Sequence, residues 1–195
     1  MSTKRLSRDV VLDAAAQLAD DAGLDEVTVT RVATRLGVRQ PALYRYVDGY
    51  DALIRALSLR ARAMLAQTMA DAAVGLAGRD AVEAIALAWR RFCHRHPGLY
   101  EATDRAPSTG DAEMEAAIER VVDVIRRSIA AYDLDDDTAV HAARSLRSAM
   151  HGFCHLELAR EHPSPVDLDD SYTRLVALVE AGIESMSAMS LSSRA

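Results

Sequence analysis

The chain has 195 residues, of which 50% are hydrophobic, 27% are charged and only 5% are aromatic. This composition is too apolar for a disordered chain, and its two cysteines are too few for a disulfide-stapled secreted scaffold. No apolar run approaches the roughly 18 residues of a membrane-spanning helix, and the first residues lack the apolar stretch of a signal peptide. We therefore expect a cytoplasmic protein without a membrane partner.

The charge is distributed unevenly along the chain. The formal net charge is −6, but residues 1–62 carry ten Lys and Arg against eight acidic residues, so the remainder has a net charge of −8. Within the N-terminal part, the stretch 31–47 contains four arginines and no acidic residue. This asymmetry indicates an anionic partner for one end of an otherwise acidic protein.

Apolar residues recur at helical spacing, and no segment alternates between apolar and polar residues over the length of a strand. In the N-terminal part we predict a first helix between Ser7 and Gly23 and a second between Thr28 and Gly37. The serine and the threonine are typical N-caps, and each glycine can adopt the left-handed conformation that ends a helix. Pro41 predicts the start of a short third helix, because a helix tolerates proline only in its first turn.

Longer helices are predicted in the rest of the chain. One begins at Asp51, after a break at Asp48-Gly49. The others are predicted at Asp80–His96, with its end at Pro97-Gly98, and at Asp111–Ala131, Asp135–Glu161 and Asp169–Met189. The acidic run 135–137 lies at a helix start, where the helix dipole favours negative charge. The sequence therefore predicts an all-α fold.

Residues 28–46 have the pattern of a helix-turn-helix, in which two short helices are joined by a tight turn. Gly37 can adopt the positive φ of that turn, because it has no Cβ. Val38 and Leu43 can then face inward and fix the crossing of the two helices. The residues left facing outward are Arg39, Gln40, Ala42, Tyr44 and Arg45.

These outward residue types suit DNA. Arginine can bond guanine O6 and N7, glutamine can bond adenine N6 and N7, and alanine can contact the methyl group of thymine. Thr28 offers a hydroxyl and backbone N–H groups to a phosphate at a helix N-terminus, and the hydroxyls of Tyr44 and Tyr46 can reach phosphate oxygens. A helical hairpin with a solvated basic face would explain the pattern and the charge equally well.

A family resemblance adds to this interpretation. The segment combines Ala33, the Leu36-Gly37-Val38 turn, Gln40-Pro41, the Ala42-Leu43-Tyr44 triplet and an aromatic residue at Tyr46. Together they resemble the N-terminal DNA-binding domain of the tetracycline-repressor (TetR) family. The resemblance implies a three-helix DNA-binding head at residues 1–50 and a helical ligand-binding and dimerisation bundle at residues 51–195. It further implies a transcriptional repressor that binds palindromic operator DNA as a homodimer and is released by a small-molecule effector.

Matching positions in the family imply that DNA is contacted by Thr28, Arg39, Gln40, Pro41, Ala42 and Tyr44, with Tyr46 beside them. We add Arg45 to this set because it is predicted to face outward. The chain departs from the family at one point. Many members carry a phosphate-binding lysine at the start of the fourth helix, whereas the connection here is Asp48-Gly49-Tyr50. Phosphate affinity must then come from the head or its N-terminal tail, through Arg31, Arg39, Arg45, Lys4, Arg5 or Arg8.

The C-terminal body resembles one subgroup of the family through two motifs, His96-Pro97-Gly98-Leu99-Tyr100 and His151-Gly152-Phe153. A sensor for a small molecule needs an apolar cavity with a few polar groups. We expect the effector to contact Trp89, Phe92, Tyr100, Met114, Ile118, Met150, His151 and Phe153, with His94 and His155 able to help orient it. Each of these residues could equally be an ordinary core residue.

The last two predicted helices are long enough to pair with their mates in a partner subunit as a four-helix bundle. Small residues on the first of them would permit close approach, namely Ala139, Ala142, Ala143 and Ala149. In the alternative interpretation, this face packs only inside the monomer.

Catalysis, cofactor and metal binding are not expected. The chain has no GxSxG, Walker, GxGxxG or HExxH motif. Two Cys/His clusters have some resemblance to zinc ligands, at Cys93, His94 and His96 and at His151, Cys154 and His155, but neither has a paired zinc motif. The alternative function is a helical small-molecule-binding or catalytic bundle whose head no longer reads DNA.

Overall fold

The computed structural model describes residues 5–106 and 109–194, with side chains described to residue 188. The α-helices in these ranges are α1 (Arg8–Ala22), α2 (Val29–Leu36), α3 (Gly49–Ala72), α4 (Gly78–Arg95), α5 (Pro97–Arg105), α6 (Ala112–Ser128), α7 (Asp136–Leu158) and α8 (Leu168–Arg194). Short 3₁₀ segments lie at Leu24–Glu26, Gln40–Arg45 and Ala130–Tyr132. The described residues contain no β-strand, which confirms the predicted all-α fold.

The predicted helix boundaries near the N-terminus are confirmed at their caps. In α1 and α2, a hydroxyl oxygen accepts a hydrogen bond from the backbone N–H three residues later, at Ser7 (3.3 Å) and Thr28 (3.1 Å). Gly37 ends α2 in the left-handed region, with φ 66° and ψ 27°. Gly23 ends α1 with φ 94° and ψ 154°, so the left-handed end predicted there is wrong. The ψ of Gly23 is that of extended backbone, and the chain continues from it directly into the 3₁₀ segment Leu24–Glu26.

Helix α5 is the element that the sequence prediction missed, because a helix end was predicted at Pro97-Gly98. The proline instead occupies the first turn of α5, where its missing N–H costs nothing. The carboxylate of Asp20, on α1, accepts a hydrogen bond from Leu99 N (2.9 Å) and lies 2.8 Å from His96 Nδ1. A side chain of α1 therefore caps the start of α5.

Helices α1 and α5 also approach each other closely at Gly98. A Cβ built on this glycine would lie 2.0 Å from the carbonyl oxygen of Ala19 and 2.2 Å from its carbonyl carbon. These are backbone atoms that cannot move aside like the end of a flexible side chain. The glycine is therefore required by the packing of the two helices.

The chain forms two compact units. Unit 1 comprises residues 1–64 and 95–118, and it contains α1, α2, the segment Gln40–Arg45, α5 and parts of α3 and α6. Its core includes Val11, Leu18, Leu43, Leu53 and Leu57. The predicted head, residues 1–50, falls within unit 1. Its boundary at residue 50 stays a prediction.

Unit 2 comprises residues 65–94 and 119–195, and in it α7 packs against α8. The buried stripe of α7 follows the three- and four-residue spacing of a helix face and consists of Ala142, Ala143, Leu146, Met150 and Cys154. Because Ala142 and Ala143 are already buried in the single chain, the prediction that they allow close approach of a partner subunit is wrong. Ala139 and Ala149 are only half-buried.

Candidate DNA-binding surface

The 3₁₀ helix Gln40–Arg45, here called the recognition helix, is held against α2 by apolar contacts. Leu43 is fully buried, as are Val32 and Ala33 on α2. The backbone N–H of Val38 donates to the Ala33 carbonyl (3.0 Å), which closes the turn after α2. The predicted inward position of Leu43 is thus confirmed, whereas Val38 is only half-buried.

The side chains predicted to contact DNA lie on the outer side of this scaffold. Thr28, Arg39, Pro41, Tyr44 and Arg45 are exposed, and Gln40, Ala42 and Tyr46 are half-buried. The exposed fraction of Tyr44 is 52%, which is too high for a core aromatic residue. These side chains are therefore available to a partner, and their contact with DNA stays a prediction.

Two hydrogen bonds join the side chains of Thr30, Gln40 and Tyr44, and we call this set of three side chains the Gln40 clamp. Thr30 Oγ1 donates to Gln40 Oε1 (3.2 Å), and Gln40 Nε2 donates to Tyr44 Oη (2.9 Å). Sequence reasoning missed Thr30. The available signal was a second exposed threonine on α2, two residues after the N-cap, but its pairing depends on how α2 crosses the recognition helix.

The arginines of the head differ in their partners. Arg31 forms an ion pair with Glu26, and Arg35 forms one with Asp21 at 2.6 Å. Among the described residues, Arg39 has no acidic partner within ion-pair distance, and the same holds for Arg45. Arg39 and Arg45 therefore contribute positive charge beside the recognition helix that no ion pair among the described residues neutralises.

The N-terminal segment is tied to the end of the recognition helix. Tyr46 Oη donates to the carbonyl of Leu6 (3.1 Å), immediately before α1. Its oxygen lone pairs remain able to accept, but its proton is used within the chain. Arg5 and Arg8 are exposed beside this contact, and Lys4 lies outside the described residues.

Comparison with known proteins decides between the two interpretations of this hairpin. Residues 11–57 match the family model described as "Bacterial regulatory proteins, tetR family", and residues 82–179 match the model described as "Tetracyclin repressor-like, C-terminal domain". The chain belongs to the TetR family. It is accordingly a DNA-binding transcriptional regulator of the repressor type.

Individual relatives agree with this assignment to the TetR family. The chain is 34% identical over 181 residues to the HTH-type transcriptional regulator Rv0681 of Mycobacterium tuberculosis, covering 92% of this chain and 83% of the relative. It is 42% identical over 55 residues to the class D tetracycline repressor protein of Escherichia coli, covering 28% of this chain and 25% of that protein. The crystal structure of the regulatory protein SCO4313 superimposes with a TM-score of 0.73 at 25% identity, over 88% of this chain and 94% of that one.

The residues predicted to bind an effector in this TetR-family chain are divided between the two units. In unit 1, Tyr100 and Met114 are buried, and Met114 Sδ accepts a hydrogen bond from Ser58 Oγ (3.6 Å). Ile118 in the same unit is half-buried. In unit 2, Trp89, Phe92 and Met150 are buried, and His151 and Phe153 are half-buried. Effector contact by any of them stays a prediction.

Unit 1 has an open cleft of about 590 Å³. Arg55 lines it and donates to both oxygens of Asp111 (2.5 and 2.8 Å) and to Glu113 (2.8 Å). The hydrogen bonds that Asp111 accepts from Arg55 and from Met114 N lower its pKa to about 2. This ion pair joins α3, the helix that follows the recognition helix, to the start of α6.

Unit 2 has an open cleft of about 720 Å³, lined by residues that include Arg90 and Glu157. Arg90 donates to both oxygens of Glu157 (2.9 and 2.6 Å), and its guanidinium lies 5.1 Å from the centre of the Tyr172 ring. Burial alone would raise the pKa of Glu157, but the hydrogen bonds and charge of Arg90 hold that pKa below its ordinary range. None of the eight predicted effector contacts lines either of these two clefts.

The described residues contain neither a cluster of metal ligands nor a membrane-spanning helix. Within them, no three His, Cys, Asp or Glu side chains come together as metal ligands do. In the same part of the chain, every helix is too short or too polar to cross a bilayer. Cys93 and Cys154 are both buried, and neither forms a disulfide.

Proposed function

We propose that the protein is a homodimeric, cytoplasmic repressor that binds a palindromic operator and is released by a small-molecule effector. The observation that carries the proposal is the exposed face of the recognition helix. It presents Gln40, Tyr44 and Arg45, with Arg39 directly before it, over a buried Leu43. The outer face thus combines side chains able to read bases with arginines that form no ion pair within the described part of the chain.

The residue types of this face suggest their separate roles. Arg39 and Gln40 read base edges in the major groove, since each can form two hydrogen bonds with one base. Ala42 and Pro41 contact apolar base atoms. Phosphates are bound by Thr28, Tyr44 and Arg45, which fix the register without reading sequence. Tyr46 would bind a phosphate only after its hydroxyl stops donating to the Leu6 carbonyl, because a phosphate oxygen needs a hydrogen-bond donor.

A homodimer follows from the shortness of the recognition helix. Six residues read only a few base pairs, so two copies on a two-fold axis are needed to define a site. An exposed face of unit 2 supports this arrangement. On α8, Leu178 is 71% exposed, and Gly182, one turn further, has open space where a Cβ would stand.

An effector-binding body is supported by the C-terminal family model and by the apolar residues inside each unit. Both motifs that resemble one subgroup of the family, at residues 96–100 and 151–153, lie within the matched range 82–179. We assign the protein no catalytic role. The effector would act by binding the DNA-bound and DNA-free arrangements with different affinities.

Selection of bound duplexes from a random pool tests the proposal with the full chain. We expect enrichment of a palindrome, with an affinity that falls steeply as salt is raised because phosphate contacts release counterions. Recovery of no preferred sequence, together with binding that salt does not change, would instead favour a helical ligand-binding or catalytic bundle that does not read DNA.

Three substitutions separate the proposed roles. Arg39→Ala and Gln40→Ala should each relax the preference at one base pair by about 1–3 kcal/mol, and Thr28→Ala should weaken binding to all duplexes alike. Arg120→Ala, at an exposed arginine of α6 outside the head, is the matched control and should leave binding unchanged. If all three head variants bind the operator like the parent chain, the recognition helix is assigned wrongly.

A further inference from the structure

We propose that Thr30 is a positioning residue for base recognition, because it holds the amide of Gln40 in place for an adenine. The inference rests on the proposed function and deepens it. Thr30 lies on α2, Tyr44 lies at the far end of the recognition helix, and their hydroxyls bond the two ends of the Gln40 amide at 3.2 and 2.9 Å. The clamp therefore connects the supporting helix directly to a base-reading side chain.

The hydrogen-bonding capacity of the amide shows what the clamp leaves free. A glutamine amide has two N–H donors and two oxygen lone pairs. In the clamp, Thr30 occupies one lone pair and Tyr44 accepts from one N–H. One donor and one acceptor remain, which is the combination that adenine N7 and N6–H₂ require in the major groove. The clamp and the base can thus be bonded at the same time.

Restraining the side chain before DNA arrives favours binding. A glutamine on an open surface samples many rotamers, and a base contact has to offset the entropy lost when one rotamer is selected. Gln40 is half-buried and bonded at both ends, so much of that entropy is already lost in the free protein. The two hydroxyls of the clamp hold the plane of the Gln40 amide. Because each hydroxyl can either donate or accept, the amide can present its N–H₂ group or its oxygen at either end, and the base determines which of the two orientations is used.

Thr30→Val tests this role with a side chain of nearly the same shape. It removes the hydroxyl and keeps the branched carbon skeleton, so the amide loses one of its two restraints. We expect the preference at the base pair read by Gln40 to fall about 2- to 10-fold, as for the loss of one neutral hydrogen bond. Because Thr30 is uncharged, the salt dependence should not change.

Thr34→Val is the matched control. Thr34 is also exposed on α2, and its hydroxyl donates within that helix, to the backbone carbonyl of Thr30 (3.0 Å). This variant has the same change of residue type on the same helix and leaves both side-chain hydrogen bonds of the clamp in place. It should therefore retain the base preference of the parent chain. An equal loss in both valine variants would assign the effect to α2 itself and overturn the proposal.

A double-mutant cycle separates positioning from direct contact. The base preference of the full chain is measured for the parent, Thr30→Val, Gln40→Ala and the double variant, on the selected operator and on duplexes altered at the base pair that Gln40→Ala affects. If Thr30 acts through Gln40, then Thr30→Val changes nothing further in the Gln40→Ala background. A further loss in that background would show that Thr30 contacts DNA itself.

The outcomes distinguish this inference from the function on which it rests. A parent chain without sequence preference overturns both the proposed function and the clamp. A parent chain that selects a sequence, combined with a Thr30→Val variant of unchanged preference, overturns the clamp alone.

Discussion

At the scale of single residues, Asp111 performs two structural tasks at once. Its carboxylate accepts a hydrogen bond from Met114 N (3.2 Å) in the first turn of α6, and it binds the guanidinium of Arg55 on α3 through both oxygens. Both contacts are stronger with the ionised form, which explains why its pKa falls to about 2. The ionised carboxylate therefore stabilises the folded state more than the protonated carboxyl does.

Asp111→Asn should reduce stability at neutral pH and have progressively less effect in acid. Because the folded pKa lies below the ordinary value of 3.8, the stabilisation is fully present above about pH 4 and is lost as the pH falls towards about 2. The measurement is the urea midpoint of both proteins between pH 7 and the acid limit of the folded state. Asp80→Asn, at an exposed residue in the first turn of α4, is the control. A midpoint difference that is the same at every pH would contradict this account.

Sequence reasoning succeeded for residues whose role is local. Thr28 and Gly37 were identified because a cap and a left-handed turn depend on residues within one turn of the chain. Thr30 was not identified, since its partner Gln40 lies ten residues away on another element. A hydrogen bond of that kind becomes visible only when the crossing of two helices is known.

Among the helices, Pro41 and Pro97 show why a helix start can be missed in the sequence. Both stand in the first turn of a helix, but the sequence pattern predicts a helix start only at Pro41. The residue before α5, His96, supplies no side-chain cap, and the capping carboxylate comes instead from Asp20. A cap supplied by a distant helix leaves no local signature, so the sequence predicted an end where a helix begins.

Gly98→Ala should separate α5 from α1 and destabilise the fold. The added methyl would overlap the Ala19 backbone, and overpacking of this kind typically costs about 1–3 kcal/mol or more. Gly152→Ala is the matched control, since no atom lies within 4 Å of its added Cβ and alanine favours a helix by up to about 1 kcal/mol. Thermal unfolding of both variants at low protein concentration distinguishes them. Equal melting temperatures would mean that α5 does not depend on this close approach.

The distribution of charge along the whole chain agrees with the proposal that the N-terminal head binds DNA and the remainder does not. Residues 1–62 have a small positive net charge, and the rest of the chain has a net charge of −8. The acidic remainder is repelled by DNA and so favours approach through the head. The sequence predicted this asymmetry because it needs no knowledge of packing. The prediction for Ala142 and Ala143 is wrong because their burial depends on how the folded chain packs around α7.

The proposed dimer predicts that an arginine on the exposed face of α8 will separate the subunits. Leu178→Arg places a charge at the most exposed large apolar residue described on that helix, so a partner that covers this face would have to bury it. Sedimentation should show monomers, and affinity for the full palindrome should fall about 100-fold or more, since two linked heads bind far more tightly than one. Affinity for a half-site should stay unchanged because the head is intact.

Val74→Arg provides the comparison that makes the dimer test specific. Val74 is 78% exposed between α3 and α4, away from α8 in the sequence, so the same charge there should leave the dimer and its affinity for the palindrome intact. If Leu178→Arg remains dimeric with full affinity, the subunits pair through another face. If both variants become monomeric, added charge weakens the pairing from any position, and the assignment of the α8 face loses its support.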